Sequence, residues 1–328
     1  MMQISDLPTV FSDLERIPQD DGPTAVCRID YTEDFVMAHD YFRAVQKIHE
    51  RSLRALDLTT LCLQLNPANY TIWHYRRQIL EHLDLYQNSD QQNRDLELAA
   101  TLGGANPKNY QIWYHRRAFL EQLRDDEDKR QETLQNELTY IATVIQQDGK
   151  NYHAWSHRQW ILSTLAKDTD SDSLWESELE YTSNLIRKDG RNNSAWNGRW
   201  FAMHRGNQEA TLSADEIQQQ IEYTLEVARI DPYNPSPWRF LLALIKKYVG
   251  NGDEEGKKKE LIAEVESIQI EVVEPSGQGP CAPLLGALVD LLGDHSPEVA
   301  VQHLETLKEC DPIRVKYWNL RQSQLIAR

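Results

Sequence analysis

Leu134, Leu138, Ile141 and Ile145 recur at spacings of four, three and four, the apolar stripe of an amphipathic helix. The stripe runs into Gln147-Asp148-Gly149, where the glycine suits a helix C-terminus. Asn151 then suits an N-cap, because its side chain can accept from the first open amides of a following helix. That second helix carries Trp155, Arg158, Trp160, Ile161 and Leu165. Neither helix can bury its apolar face alone, so the hairpin they form must stack on others of its kind.

Those others are visible along the chain. Trp73, Trp113, Trp155, Trp196, Trp238 and Trp318 follow one another at intervals of 40, 42, 41, 42 and 80 residues. A fixed period of this length marks stacked helical repeats. The last interval predicts one repeat that has kept its length and lost its tryptophan. Four residues before the tryptophans stand Asn69, Asn109, Asn151, Asn192 and Asn234, with Arg314 in the last repeat. Three residues after them stand Arg76, Arg116, Arg158 and Arg199; the series breaks at Leu241 and resumes at Arg321. On a helix all three positions share one face. Ladders present in nearly every repeat cap helices and bridge neighbours, and by the same logic the tryptophans are core. The predicted fold is all-α: a crescent, a right-handed superhelical array (α-α superhelix) of about seven antiparallel helical hairpins. Residues 1–36 read as an N-terminal extended segment and 37–328 as a single helical-repeat domain. A degenerate repeat and loop are expected near 250–300, where Pro275, Pro280 and Pro283 interrupt the pattern.

The formal charge of −16 argues against a general nucleic-acid binder, which needs a basic face. Much of the acid lies in expected connectors: Asp125 to Asp128, Asp168 to Asp172, Asp253 to Glu255. Cys27, Cys62, Cys281 and Cys310 are far apart and form no C-x-x-C pair, which fits a reducing, cytoplasmic setting. The first residues carry no signal-peptide pattern, no apolar run approaches the ~20 residues of a membrane span, and the last three form no lipidation box.

Function is to be sought where the repeats differ. Five residues before the tryptophans the array reads Ala68, Lys108, Lys150, Arg191, Tyr233 and Ile313, placing cations in three adjacent repeats of an acidic chain. Three before, it reads Tyr70, Tyr110, Tyr152, then Asn193 and Pro235; two before, Thr71, Gln111, His153, then Ser194 and Ser236. These positions lie beside helix N-termini, which favour phosphate or carboxylate ligands. Lysine and tyrosine together suit an anionic leaving group whose charge grows in the transition state. On spacing alone two readings stay open: an anion site, or residues that solvate the loops between helices.

Longer motifs carry a resemblance. Asn106-Pro107-Lys108-Asn109-Tyr110-Gln111-Ile112-Trp113-Tyr114-His115-Arg116-Arg117 resembles the alpha subunit shared by protein farnesyltransferase and protein geranylgeranyltransferase type I. Lys150-Asn151-Tyr152-His153-Ala154-Trp155, Arg191-Asn192-Asn193-Ser194-Ala195-Trp196, Asp20-Asp21-Gly22-Pro23 and Asp40-Tyr41-Phe42-Arg43-Ala44 are similar to the same subunit. The resemblance is close over about residues 20–245 and looser beyond. It implies a helical crescent wrapping a separate beta subunit, an enzyme active only as the heterodimer. That enzyme moves farnesyl or geranylgeranyl from its diphosphate to the cysteine thiol of a C-terminal Cys-a-a-X (CaaX) peptide or protein. It implies Zn2+ held by the beta subunit, with no metal ligand in this chain, and Mg2+ for the farnesyl enzyme. Residue by residue, it implies that Lys108 is the catalytic lysine on the diphosphate, with Tyr152 and His153 in the same pocket wall. It implies that Gln111 bonds the peptide's C-terminal carboxylate, and that Tyr110 and Tyr70 face the isoprenoid and the peptide. Isoprenoid length and peptide preference would be set by the beta subunit.

Other constellations weigh less. His153 and His157 sit four apart, as a helical zinc pair would, but no third ligand is evident. Asp125-Asp126-Glu127-Asp128 is superficially an aspartate-rich diphosphate motif, yet Lys129 stands where it should be completed. Two alternative functions remain for comparison: the alpha subunit of a Rab geranylgeranyltransferase, and a non-catalytic peptide-binding scaffold of the tetratricopeptide type.

Overall fold

A computed structural model of the chain describes residues 2–24, 26–123, 127–168, 171–206, 211–248, 255–293 and 295–327. Asp125, Asp126, Asp170 and Asp253 of the acidic connectors lie outside them. The described residues are helical with no strand. Their contacts divide the chain into two compact units, Met1–Ile161 and Leu162–Arg328, where the sequence predicts one repeat domain from residue 37. The division falls inside a helix. In an array where each hairpin touches only its neighbours, a cut at one place is much like a cut at another.

In the first unit the N-terminal segment is not wholly extended. A helical turn at Ile4–Asp6 leads into α1 (Leu7–Val10), and Leu7 and Phe11 are fully buried. Arg54 reaches back to this segment, forking onto Asp13 at 2.7 and 2.8 Å and donating to the Val10 carbonyl at 2.8 Å. α2 (Glu33–Lys47) then begins at a Thr32 cap, three residues before the expected extended segment ends. Next come the hairpins α3 (Leu53–Leu65) with α4 (Tyr70–His82) and α5 (Ser89–Ala105) with α6 (Tyr110–Leu120), followed by α7 (Glu127–Gln147) and α8 (Tyr152–Asp168).

Asn69 and Asn109 cap α4 and α6 by accepting the amides two and three residues ahead, and Asn151 caps α8 through the Ala154 amide. The Asn151 amide group also donates to the Pro107 carbonyl of the preceding hairpin at 3.1 Å. Each tryptophan ties its helix to the turn before it. Trp73, Trp113 and Trp155 donate Nε1–H to the carbonyls of Pro67, Pro107 and Gly149 at 2.9, 2.8 and 2.9 Å.

The arginine ladder does the bridging. Arg76 forks onto Asp95 of the next hairpin at 2.7 and 3.1 Å, and His115 Nε2 lies 3.2 Å from the same carboxylate. One hairpin on, Arg116 forks onto Glu137, which also meets His157 Nε2 at 2.8 Å. These residues are all buried. Burial pushes the Asp95 carboxyl up, but the Arg76 charge and the bonds from His115 and Arg76 outweigh it and hold it well below the usual range. Burial lowers His115 to about 4. At neutral pH the ring is therefore uncharged, and its Nε2–H donates to Asp95.

The second unit continues the pattern and then loosens it. It contains α9 (Asp172–Lys188), α10 (Asn193–Met203), α11 (Ala214–Ile230) and α12 (Pro235–Tyr248). Arg199 meets the neutral Gln220 at 2.9 Å where Arg76 and Arg116 meet carboxylates. Trp196 and Trp238 keep their bonds to the carbonyls six residues back, and Asn234 donates to the Gly190 carbonyl at 2.7 Å. α13 (Glu255–Ile268) runs on through a π-helical stretch, Gln269–Val273, into α14 (Glu274–Ser276), which stops at Gly277 with φ +69°.

α15 (Ala282–Leu292), α16 (Pro297–Cys310) and α17 (Val315–Ile326) complete the chain. Cys281 takes the asparagine's place and donates its thiol to the Pro232 carbonyl at 3.1 Å; buried Leu285, four residues on, takes the tryptophan's. Leu285 lies 47 residues after Trp238 and 33 before Trp318. The expectation of a repeat that kept its length is therefore corrected: the repeat after Trp238, which contains the π-helical stretch, is long, and the next is short.

Candidate functional site

Lys108, Tyr70, Tyr110, Gln111, Tyr152 and His153 all lie in the first unit, at the starts of α4, α6 and α8 and in the turn before α6. Tyr110 and Tyr152 are the first residues of α6 and α8, and both are exposed. His153 joins them: its ring centre lies 4.2 Å from that of Tyr110, nearly perpendicular, and 5.5 Å from that of Tyr152. Burial lowers the His153 pKa, opposed by the nearby Lys108 backbone. The turn before α6 is held through the Pro107 carbonyl, which accepts from Trp113 and Asn151, while the Lys108 side chain is 73% exposed and places Nζ 3.5 Å from Asp148 Oδ2.

Lys108, Tyr110, Tyr152 and His153 therefore form one cluster. Tyr70 and Gln111 occupy the corresponding first turns of α4 and α6, but no side-chain hydrogen bond or ring contact among the described residues joins them to the other four. The sequence missed Asp148. Its signal was there: an Asn or Asp stands seven residues before each tryptophan, as Asn66, Asn106, Asp148, Asp189, Asp231 and Asp311. Arg191, another of the cations in this register, pairs with Asp231 of the next repeat at 2.7 Å, so it serves the array itself.

The structure also changes how an anion would be recognised here. The amides of Gln111 and Ile112 are already taken by the Asn109 cap, and the Ala154 amide by Asn151. Recognition then rests on the ammonium and phenol groups more than on helix amides. The cluster is an open surface. Two hollows, about 800 Å³ along α11 and α13 and about 580 Å³ along α3 and α5, touch none of its residues.

Among the described residues no three His, Cys, Asp or Glu side chains come together as a metal site. His157 is spent on Glu137, so the His153–His157 spacing makes no zinc pair. Asp125 and Asp126 of the aspartate-rich segment lie outside the described residues. No helix is long and apolar enough to cross a membrane among the described residues, and all four cysteines are unpaired thiols.

Comparison with known proteins gives this geometry its setting. The protein prenyltransferase alpha subunit repeat matches residues 52–83, 93–123, 134–165 and 175–206, the hairpins that begin with α3, α5, α7 and α9. The protein farnesyltransferase/geranylgeranyltransferase type-1 subunit alpha of Solanum lycopersicum is 39% identical, over 96% of this chain and 89% of that one. The chain belongs to the protein prenyltransferase alpha subunit family. The subunit of the same name from Pisum sativum is 53% identical over a shorter match, 22% of each chain. A solved structure, Candida albicans protein geranylgeranyltransferase-I complexed with GGPP, superposes with a TM-score of 0.76 at 25% identity, covering 96% of this chain and 98% of that one. The all-α hairpin fold is thus that of the prenyltransferase alpha subunits. The relatives carry the farnesyl/geranylgeranyl type-1 name, which favours that reading over the Rab enzyme and the tetratricopeptide scaffold.

Proposed function

We propose that this chain is the alpha subunit of a heterodimeric protein prenyltransferase of the farnesyl/geranylgeranyl type-I class. Paired with a beta subunit, it transfers farnesyl or geranylgeranyl from the diphosphate to the cysteine thiol of a C-terminal CaaX sequence. The observation that carries the assignment of roles is Lys108. Its turn is anchored through the Pro107 carbonyl, and its ammonium stands exposed in a cluster that includes two exposed phenols. As the carbon–oxygen bond to the diphosphate breaks, charge accumulates on the leaving oxygens. A fixed ammonium offsets that charge without any proton transfer. Tyr152 and Tyr110 border the same ground and bind the diphosphate and the isoprenoid, with the His153 ring packed against both as part of the wall. Gln111 and Tyr70, on neighbouring first turns, take the peptide and its carboxylate. An open cluster of this kind becomes a pocket only when a second chain covers it, which suits a site shared with beta.

Zn2+ belongs in this reading to the beta subunit, where it supplies an activated thiolate, and Mg2+ accompanies the farnesyl diphosphate. His115 and His157 of this chain do not fit the zinc, since both are committed to buried carboxylates. Four unpaired thiols suit a cytoplasmic location. The test is co-expression with farnesyl-type and geranylgeranyl-I-type beta chains, followed by prenylation of CaaX peptides by native and Lys108→Ala heterodimers. Loss of one such stabilising group should lower kcat by on the order of 10²–10³ while assembly persists. An unchanged rate would remove Lys108 from the mechanism.

A further inference from the structure

We propose that Asp148 is a positioning residue that holds the Lys108 ammonium at rest and gives it up to the isoprenoid diphosphate. The proposal rests on the reading of Lys108 as the diphosphate contact. It begins with a pair of pairs. The cation five residues before one tryptophan meets the acid seven residues before the next, both at Lys108–Asp148 and at Arg191–Asp231.

The two contacts differ in strength. Arg191 forks onto Asp231 with bonds of 2.7 and 3.0 Å, which locks successive repeats together. Lys108 offers a point charge where Arg191 offers a fork, and it reaches Asp148 by a single 3.5 Å approach from a largely exposed side chain. An exposed ion pair of this kind holds weakly. A diphosphate brings more negative charge and more acceptor oxygens than one carboxylate, so it wins the ammonium.

What moves is confined to the lysine side chain. Asp148 is pinned in its own turn: Oδ1 accepts the Lys150 amide at 3.2 Å, and the Asp148 carbonyl accepts the Asn151 amide at 3.0 Å. The turn that carries Lys108 is held through the Pro107 carbonyl, which accepts from Trp113 and Asn151. When diphosphate leaves, the waiting carboxylate takes the ammonium back, which favours release of the product anion. Asp148 thereby weakens ground-state binding of every diphosphate at the site.

The substitution that tests this is Asp148→Asn. Asparagine already fills the same register at Asn66, where its Oδ1 accepts the Ala68 amide at 3.1 Å, so the turn is preserved. On the assembled heterodimer, the Kd for farnesyl diphosphate and the Ki for inorganic diphosphate are measured in the native, Asp148→Asn, Lys108→Ala and doubly substituted proteins. Asp148→Asn should tighten both by about two- to fivefold with Lys108 present, the scale of an exposed pair. It should tighten them clearly less with Ala at 108. Lys108→Arg provides a second arm: it restores the fork seen at Arg191, so it should weaken binding, and adding Asp148→Asn should reverse that. Equal tightening in both backgrounds would mean general charge repulsion and would overturn the exchange, as would no tightening at all. A Lys108→Ala heterodimer with native kcat would instead defeat the underlying reading, whatever the binding constants.

Discussion

Arg116→Leu tests the physical basis of the array. Leucine is what the fifth hairpin carries in this register, at Leu241, so it fits a helix of this kind. At position 116, however, it would leave the Glu137 carboxylate, 2% exposed, with His157 but without its guanidinium. It would also strip the Leu96 carbonyl of a 2.7 Å donor and leave the Tyr140 ring without the cation lying 3.8 Å from its centre. Removing one partner of a buried, hydrogen-bonded ion pair costs about 3–5 kcal/mol. Against a total stability of about 5–15 kcal/mol that is a large share. The measurement is urea unfolding followed by tryptophan fluorescence and circular dichroism. With a slope of about 3 kcal/mol/M, a loss of about 4 kcal/mol lowers the midpoint by about 1 M. Adding Glu137→Gln should restore more than half of the loss. The charge is then gone, the amide oxygen still accepts from His157, and glutamine is the residue that Gln220 places opposite Arg199. A single variant within about 1 kcal/mol of native, or a double variant no more stable than the single, would refute the claim that an orphaned buried charge sets the cost.

Two further outcomes follow from the same bonds. His115 titrates near 4 in the folded chain against about 6.5 when unfolded, so between those values the unfolded chain takes up the extra proton. Stability should therefore fall as pH drops from 6.5 to 4, by at most about 3 kcal/mol from this group. Thermal scans across that range should show a flatter fall in His115→Gln, whose amide still donates to Asp95; an identical fall in both proteins would assign the dependence elsewhere. Asn151→Ala removes both the cap on α8 and the bridge to the Pro107 carbonyl, and should cost about 2 kcal/mol in urea unfolding. A cost below about 0.5 kcal/mol would show that water replaces both bonds.

The hairpins were legible because their periodicity is physical. Apolar stripes, asparagine caps and tryptophans recur wherever the same hairpin is built, and the structure uses each for the same bond. The asparagines cap, Asn151 and Asn234 also reach back to the preceding hairpin, and the tryptophans close the turn. Three features were not legible. The carboxylates Asp95 and Glu137 lie 18 residues before their tryptophans among many other acids, and only their burial sets them apart. The π-helical extension before Ser276 has no periodic signature, so an 80-residue interval concealed a long repeat followed by a short one. The N-terminal turn at Leu7 depends on long-range contacts from Arg54 that no local pattern announces.

The candidate site was legible by difference, and that limits what difference can say. A row of cations five residues before the tryptophans looks uniform in sequence, yet the structure separates its members by what they touch. Arg191 is saturated by a fork onto Asp231, whereas Lys108 has one long contact and an exposed ammonium. The same register thus holds the array together in one hairpin and leaves a charge to spare in another. That spare charge follows from one departure in the second hairpin, a lysine where the fourth hairpin has an arginine. A repeat scaffold needs little else to acquire chemistry. Its bridging bonds are redundant along the array, so one of them can be weakened and exposed to a ligand while its neighbours keep the stack intact.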